Sequence, residues 1–152
     1  MSDWRIPISK SEEGAADYRV AVSGILIYHG EILLAGKVDP DGQTLWAPPG
    51  GKVEEGESFR GAVVREFKEE TNLNIEPVVL LGSLEVGIRD VRYLIFDYLV
   101  KLSAGSLIED IRPGDDVGQL KLFKVAGLNE VTFAPGVRRF LEQLIPLLRS
   151  LG

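Results

Sequence analysis

A chain of 152 residues falls in the range of one domain and can bury a substantial core, and 45% hydrophobic with 26% charged residues is ordinary globular composition. Zero cysteines exclude disulfides and thiol chemistry, and a single histidine, His29, excludes a His-rich metal site. The formal charge of −6 argues against gripping a nucleic-acid polymer, which needs many cationic phosphate contacts; it fits a metal-assisted enzyme acting on a small anion, where a bound cation supplies positive charge locally, and equally any acidic soluble protein.

Residues 1–17 are polar and read as an N-terminal segment that lies over the surface or is partly disordered, with Trp4 and Ile6 able to dock on the body. They lack the charged-then-apolar order of a secretion signal, and no run of about 18 apolar residues offers a membrane span, so the expected location is cytoplasmic with no membrane partner. Residues 18–152 read as a single domain. Tyr18 to Tyr28 and Glu31 to Val38, rich in β-branched and apolar residues, predict a hairpin turning at His29-Gly30. His29 is a turn residue in this reading rather than an acid-base group. Asp39 to Thr44, DPDGQT, lacks the spaced ligands and terminal Glu of a calcium loop and predicts a solvated turn. Leu45 to Ala47 predicts a short strand in which Trp46 packs in the core or at a cleft rim, with stacking on a nucleobase as the alternative. That strand leads into APPGG, a run that cannot continue a helix or a central strand and predicts a shaped loop. Glycine lets the backbone approach a ligand, so the Gly51 carbonyl is a candidate cation donor.

From Phe59 to Thr71 nothing forbids a helix, and Ser58 can cap its first turn. At about 100° per residue Glu66, Glu69 and Glu70 share one sector while Val63, Val64 and Phe67 project to an adjoining apolar one. Carboxylates at this spacing repel by roughly 0.2–0.5 kcal/mol per pair, and a hard divalent cation, which takes oxygen ligands, would relieve that repulsion. The plainer reading is a solvated Glu-rich face; the full spacing, with both glycines and Arg65, favours the chemical one.

Ile75 to Glu85 and Arg92 to Leu102 predict two strands joined around Val86 to Val91, with Gly82 and Gly87 as bends. The near-continuous apolar run from Tyr93 to Tyr98 predicts a central strand. Ser103 to Val117 reads as mostly loop and holds Glu109, Asp110, Asp115 and Asp116. Gln119 to Val125 predicts a further strand. Pro135 can open a last helix that carries Phe140, Leu141, Leu144 and Ile145 at helical spacing, with Pro146 bending it. Strands, helix, strands, helix is the order of an α+β domain with sheet between helices.

Gly51, five residues, Glu57, seven residues, Arg65-Glu66-Phe67, one residue, Glu69-Glu70, then Asn72-Leu73: this order resembles the signature of the Nudix hydrolases. The match covers 23 residues, Gly51 to Leu73, and departs from the family at Asn72, where the family has glycine; Asn is the next most tolerant residue at a left-handed helix end. The resemblance implies an α/β/α sandwich with a mixed, curved sheet between helices. It also implies hydrolysis, with Mg²⁺ or Mn²⁺, of a nucleoside diphosphate linked to another group X. The cation would be held by Glu66, Glu69, Glu70 and the Gly51 carbonyl. Glu66, Glu69 or a loop acid among Glu109, Asp110, Asp115 and Asp116 would accept the proton. Arg65 counts with the catalytic residues and pairs with Glu57 as support.

Substrate is less legible. Arg89, Arg92 and Trp46 are the candidate substrate contacts. IRDVRYLIFDYLV followed by a GDD loop looks like members acting on ADP-ribose or related nucleotide sugars, although Leu84 to Ile88 lacks the proline many of those carry. ADP-ribose-like diphosphates therefore rank first, nucleoside triphosphates second and dinucleoside polyphosphates third. A Nudix-like fold that binds a nucleotide or protein without hydrolysis is the alternative of another class, and the presence of all four acidic motif positions argues against it. Homodimers are common among similar enzymes, but these residues do not reveal assembly.

Overall fold

The computed structural model describes residues 18–88 and 90–151; the expectations placed on residues 1–17, Trp4 and Ile6 among them, and on Arg89 lie outside the described residues. Strands β1 (Tyr18–Tyr28) and β2 (Glu31–Val38) form the expected hairpin. Its turn places His29 at φ 49° and Gly30 at φ 75°, the left-handed pair whose twist matches that of the flanking strands. After β3 (Thr44–Ala47) the chain departs from expectation: Gly50–Lys52 is a strand, β4, rather than a loop. It pairs antiparallel with β1 through Ser23–Gly50, Val22–Gly51 and Ala21–Lys52. The prolines stop just short of it, so the amides a ladder needs are present again from Gly50 onward.

Helix α1 (Phe59–Thr71) is bounded as its end residues dictate. The Ser58 hydroxyl accepts from the Gly61 amide at 2.9 Å, and Asn72 takes φ 67° and donates its own amide to the Lys68 carbonyl. Ala62, Val63 and Phe67 are buried, whereas Val64 is exposed, contrary to its expected place on the apolar side; it lies about 100° around the helix from Val63, outside the sector that packs. Strands β5 (Ile75–Ile88) and β6 (Val91–Leu102) run further toward each other than expected. Their pairing shifts register between Leu80 and Gly82, while Gly87 stays in regular register with Arg92. Strand β7 (Gln119–Lys124) precedes α2 (Val137–Leu151). That helix begins two residues after Pro135 because Gly136 adopts φ 80°, a left-handed conformation that cannot belong to it.

The seven strands form one mixed sheet in the order β3-β2-β1-β6-β5, with β4 against β1 and β7 against β2. Among the described strands, only β1 and β6 pair in parallel. The hairpin strands pair with each other only beside their turn, at Ile27–Ile32 and Tyr28–Glu31. Beyond it β1 takes β4 as neighbour while β2 takes β7 and β3, so the two halves of the sheet part and leave a wedge.

Alternation along the strands builds a core on each face. Val22, Leu26, Leu33 and Phe96 pack against α1, and Phe67 is wholly buried there, which stabilises the fold by roughly 1.5–3 kcal/mol. Ile25, Ile32 and Leu34 pack with Val137, Phe140 and Leu141 of α2. The result is an α+β sandwich with the sheet between helices. Among the described residues no helix is long and apolar enough to cross a membrane.

Candidate active site

A cleft of about 540 Å³ opens at the wedge, where the C-terminal half of α1 faces β4. Glu66, Glu69 and Glu70 line one side, Gly50, Gly51 and Lys52 the floor, and Gly114, Asp115 and Asp116 the other side. The helix sector predicted to be acidic is therefore the sector that meets the glycine pair. Gly51 lies so close that a Cβ there would come within 2.4 Å of the Glu66 carboxyl carbon, so any side chain at this position would have to displace that carboxyl.

Each carboxylate has its own surroundings. Glu70 is 6% exposed because it falls within the buried sector of α1. Its Oε1 accepts from the Gly50 amide at 2.7 Å and its Oε2 pairs with Lys37 Nζ at 3.1 Å. Burial pushes the Glu66 carboxyl above its ordinary range, against the opposing pull of Arg65. Glu69 is exposed and meets Arg65 Nη1 at 3.3 Å. The Arg65 guanidinium grips Glu57 with two bonds, Nε to Oε2 at 2.7 Å and Nη2 to Oε1 at 2.9 Å. It also donates to the Lys52 carbonyl at 3.0 Å and to Glu66 at 2.9 Å. The Glu57 carboxyl is held below its usual range by that Arg65 bond, and the guanidinium is raised above its own, by Glu57 first. This clasp joins the turn before α1, strand β4 and the helix.

The long loop is tied to the end of α1, whose last carbonyls have no partner within the helix. The Arg112 amide bonds the Thr71 carbonyl at 2.9 Å and the Gly114 amide bonds the Glu70 carbonyl at 3.1 Å. This selects among the four loop acids: Asp115 and Asp116 line the cleft, while Glu109 and Asp110 sit in a 3₁₀ turn (Ile108–Asp110) away from it. Lys37, which no local pattern marks, was missed by the sequence reading; only the packing of β2 beside α1 brings its ammonium to Glu70. Arg92 does not line the cleft and pairs with Glu85 at 3.2 Å. Trp46 packs in the α2-side core, edge to face with Phe123.

The family model described as the NUDIX domain matches residues 17–144. The chain belongs to the Nudix family. An ADP-ribose pyrophosphatase of Methanocaldococcus jannaschii is 34% identical to this Nudix protein over 114 residues, 75% of this chain and 66% of that one. A Bacillus subtilis Nudix hydrolase, YvcI, is 30% identical over 102 residues, 64% of this chain and 62% of its own length. The chain thus spans a little under two thirds of these relatives. A MutT protein from Methanosarcina mazei shares the fold at TM-score 0.76 and 22% identity, with 90% of this chain and 98% of that one covered.

The donors around the cleft fit a hard divalent cation, being oxygens only: carboxylates from helix and loop, with main chain at Gly51. Among the described residues no three acidic or histidine side chains already converge as a cation cage. The protein's own cations, Lys37 on Glu70 and Arg65 on Glu66 and Glu69, lie against the carboxylates instead.

Proposed function

We propose that this Nudix protein hydrolyses the diphosphate bond of a nucleoside diphosphate linked to X, with ADP-ribose or a related nucleotide sugar as first-ranked substrate and Mg²⁺ or Mn²⁺ as cofactor. The observation that carries this reading is that Glu66, Glu69, Glu70, Asp115 and Asp116 line one cleft with Gly51, beside an apolar cavity of about 430 Å³ that shares Lys37, Gly50, Gly51 and Glu70 with the cleft. An acidic end for cation and phosphates adjoins an apolar end for an organic group. The named activity of the archaeal relative supports the ranking.

Glu66, Glu69, Glu70 and the Gly51 carbonyl are the groups that would hold the cation. When bound, it neutralises phosphate oxygens and makes a bound water a nucleophile at neutral pH. Lys37 reaches over the same space and adds a positive charge for a phosphate oxygen. Whichever of Glu66, Glu69 or a loop acid is not fully committed to the cation is the proton acceptor in this reading. Arg65 and Glu57 hold Glu66 and β4 in register rather than touching the reacting atoms.

Incubation with ADP-ribose and Mg²⁺ is expected to release AMP and ribose phosphate, and chelation to abolish the release. Nucleoside triphosphates and dinucleoside polyphosphates in the same panel test the second and third rankings. Glu70→Gln and Glu69→Gln are each expected to slow turnover by orders of magnitude with the fold intact. Tight binding of one compound with hydrolysis of none would overturn the proposal in favour of a binding module.

A further inference from the structure

Beyond the cleft lies a buried group that the phosphate chemistry does not use. A pocket of about 60 Å³ between β1, β6 and α2 is walled by Ser23, Ala47, Pro48, Ile95 and Phe140, with Asp97 facing it. Ser23, Ala47, Pro48 and Ile95 also line the 430 Å³ apolar cavity, so the small pocket is the cavity's inner end. Asp97 is 3% exposed. Strands β1 and β6 place it level with Ser23, whose hydroxyl donates to Asp97 Oδ1. Its Oδ2 is buried with no hydrogen-bond partner among the described residues. A native interior rarely leaves a carboxyl oxygen so, and such an oxygen calls for an explanation, a bound water, ion or ligand among them.

The route to that oxygen starts at the proposed phosphate site. Gly51 and Asp97 are separated by two strand spacings, from β4 across β1 to β6, or about 10 Å. The walls between are aliphatic: Ala21, Val22, Ala47, Pro48 and Ile95. A molecule whose phosphates occupy the cleft therefore has an apolar cavity beside it and, behind the small pocket at that cavity's inner end, one unused acceptor. A nucleobase matches that arrangement, with apolar faces and a polar edge.

We propose that Asp97, positioned by Ser23, is the specificity-determining residue for the organic end of the substrate and accepts an N–H from a nucleobase bearing an exocyclic amino group. This rests on reading the cleft as the phosphate site. An ionised carboxylate offers only lone pairs, so with the base held in the same pose a carbonyl in the amino group's place would set oxygen against oxygen. Burial pushes the Asp97 carboxyl up to about 7, against the opposing Ser23 hydrogen bond. The test belongs above that value, where the acceptor form prevails.

The decisive comparison is kcat/KM at pH 8.5 for ADP-ribose and its hypoxanthine counterpart, which differ by amino against carbonyl, in the wild type, Asp97→Asn and Ser23→Ala. The wild type is expected to favour the amino base by about 10–100-fold. Asp97→Asn, whose amide presents a donor or an acceptor, is expected to bring the ratio within about threefold, with the change in KM rather than kcat. Ser23→Ala is expected to narrow it. Equal use of both bases by the wild type, or an unchanged ratio in a folded Asp97→Asn, overturns the proposal; a merely structural role would slow both substrates alike. Calorimetric titration of AMP and IMP reads the same preference without turnover. Loss of all hydrolysis with that preference intact would count against the phosphate reading and leave Asp97 its role.

Discussion

The side-chain amide of Asn72 donates to the main-chain carbonyl of Asp110 at 2.9 Å, joining positions 38 residues apart. The residue that ends α1 thus also holds the loop that brings Asp115 and Asp116 to the cleft. Helix end and loop act as one unit, because the amides of Arg112 and Gly114 complete the carbonyls that α1 leaves free.

Replacing Asn72 with Gly keeps the left-handed helix end and removes only this tether. We expect amide exchange at Arg112 and Gly114 to quicken by about tenfold, corresponding to one hydrogen bond, with kcat/KM falling several-fold and little change in melting temperature. Exchange measured by NMR or mass spectrometry checks it. Unchanged protection would mean that the backbone bonds alone hold the loop.

Arg65→Lys keeps a positive charge but cannot reproduce the two-pronged grip on Glu57 together with the Lys52 carbonyl and Glu66. The expected result is a loss of about 10–100-fold in turnover, the range seen when partners that orient ligands are removed. Rates and melting curves measured together separate this from unfolding. Full activity in the lysine variant would show that the clasp does not position Glu66.

Gly51→Ala would drive a methyl into the Glu66 carboxyl. Either the helix shifts or Glu66 swings out of the cleft. A destabilisation of about 1–3 kcal/mol is expected from denaturant midpoints, together with weakened Mn²⁺ binding by paramagnetic titration. A variant that binds Mn²⁺ as tightly as the wild type would show that the cation is held without the close approach of Gly51 to Glu66.

Asp97 sets a pH dependence of stability whose sign is unusual for a carboxylate. Its folded-state value of about 7 lies above the ordinary value of 3.8, so between the two the native chain binds the extra proton and unfolding releases it. Stability from this group is fully present below about pH 4, declines as pH rises, and is lost once pH passes about 7. The loss is at most about 4 kcal/mol. Urea unfolding across this window should show the decline in the wild type and its absence in Asp97→Asn. Parallel profiles would mean that the carboxyl titrates normally.

The elements legible from residue order are those made by neighbours in the chain. His29-Gly30 turns the hairpin, Ser58 and Asn72 bound α1, and the spacing of Glu66, Glu69 and Glu70 puts three carboxylates on one side. Caps, turns and helical spacing act over a few residues, so side-chain chemistry alone decides them. What needed the tertiary structure depends on which strands lie side by side. Asp115 and Asp116 are chosen over Glu109 and Asp110 by bonds to the end of α1, Lys37 reaches Glu70 from β2, and Ser23 meets Asp97 because β1 and β6 run parallel. The parting of β1 from β2 that opens the wedge is likewise a matter of strand partners. Such pairings join residues far apart in the chain through packing of the whole sheet, and no local pattern carries that information.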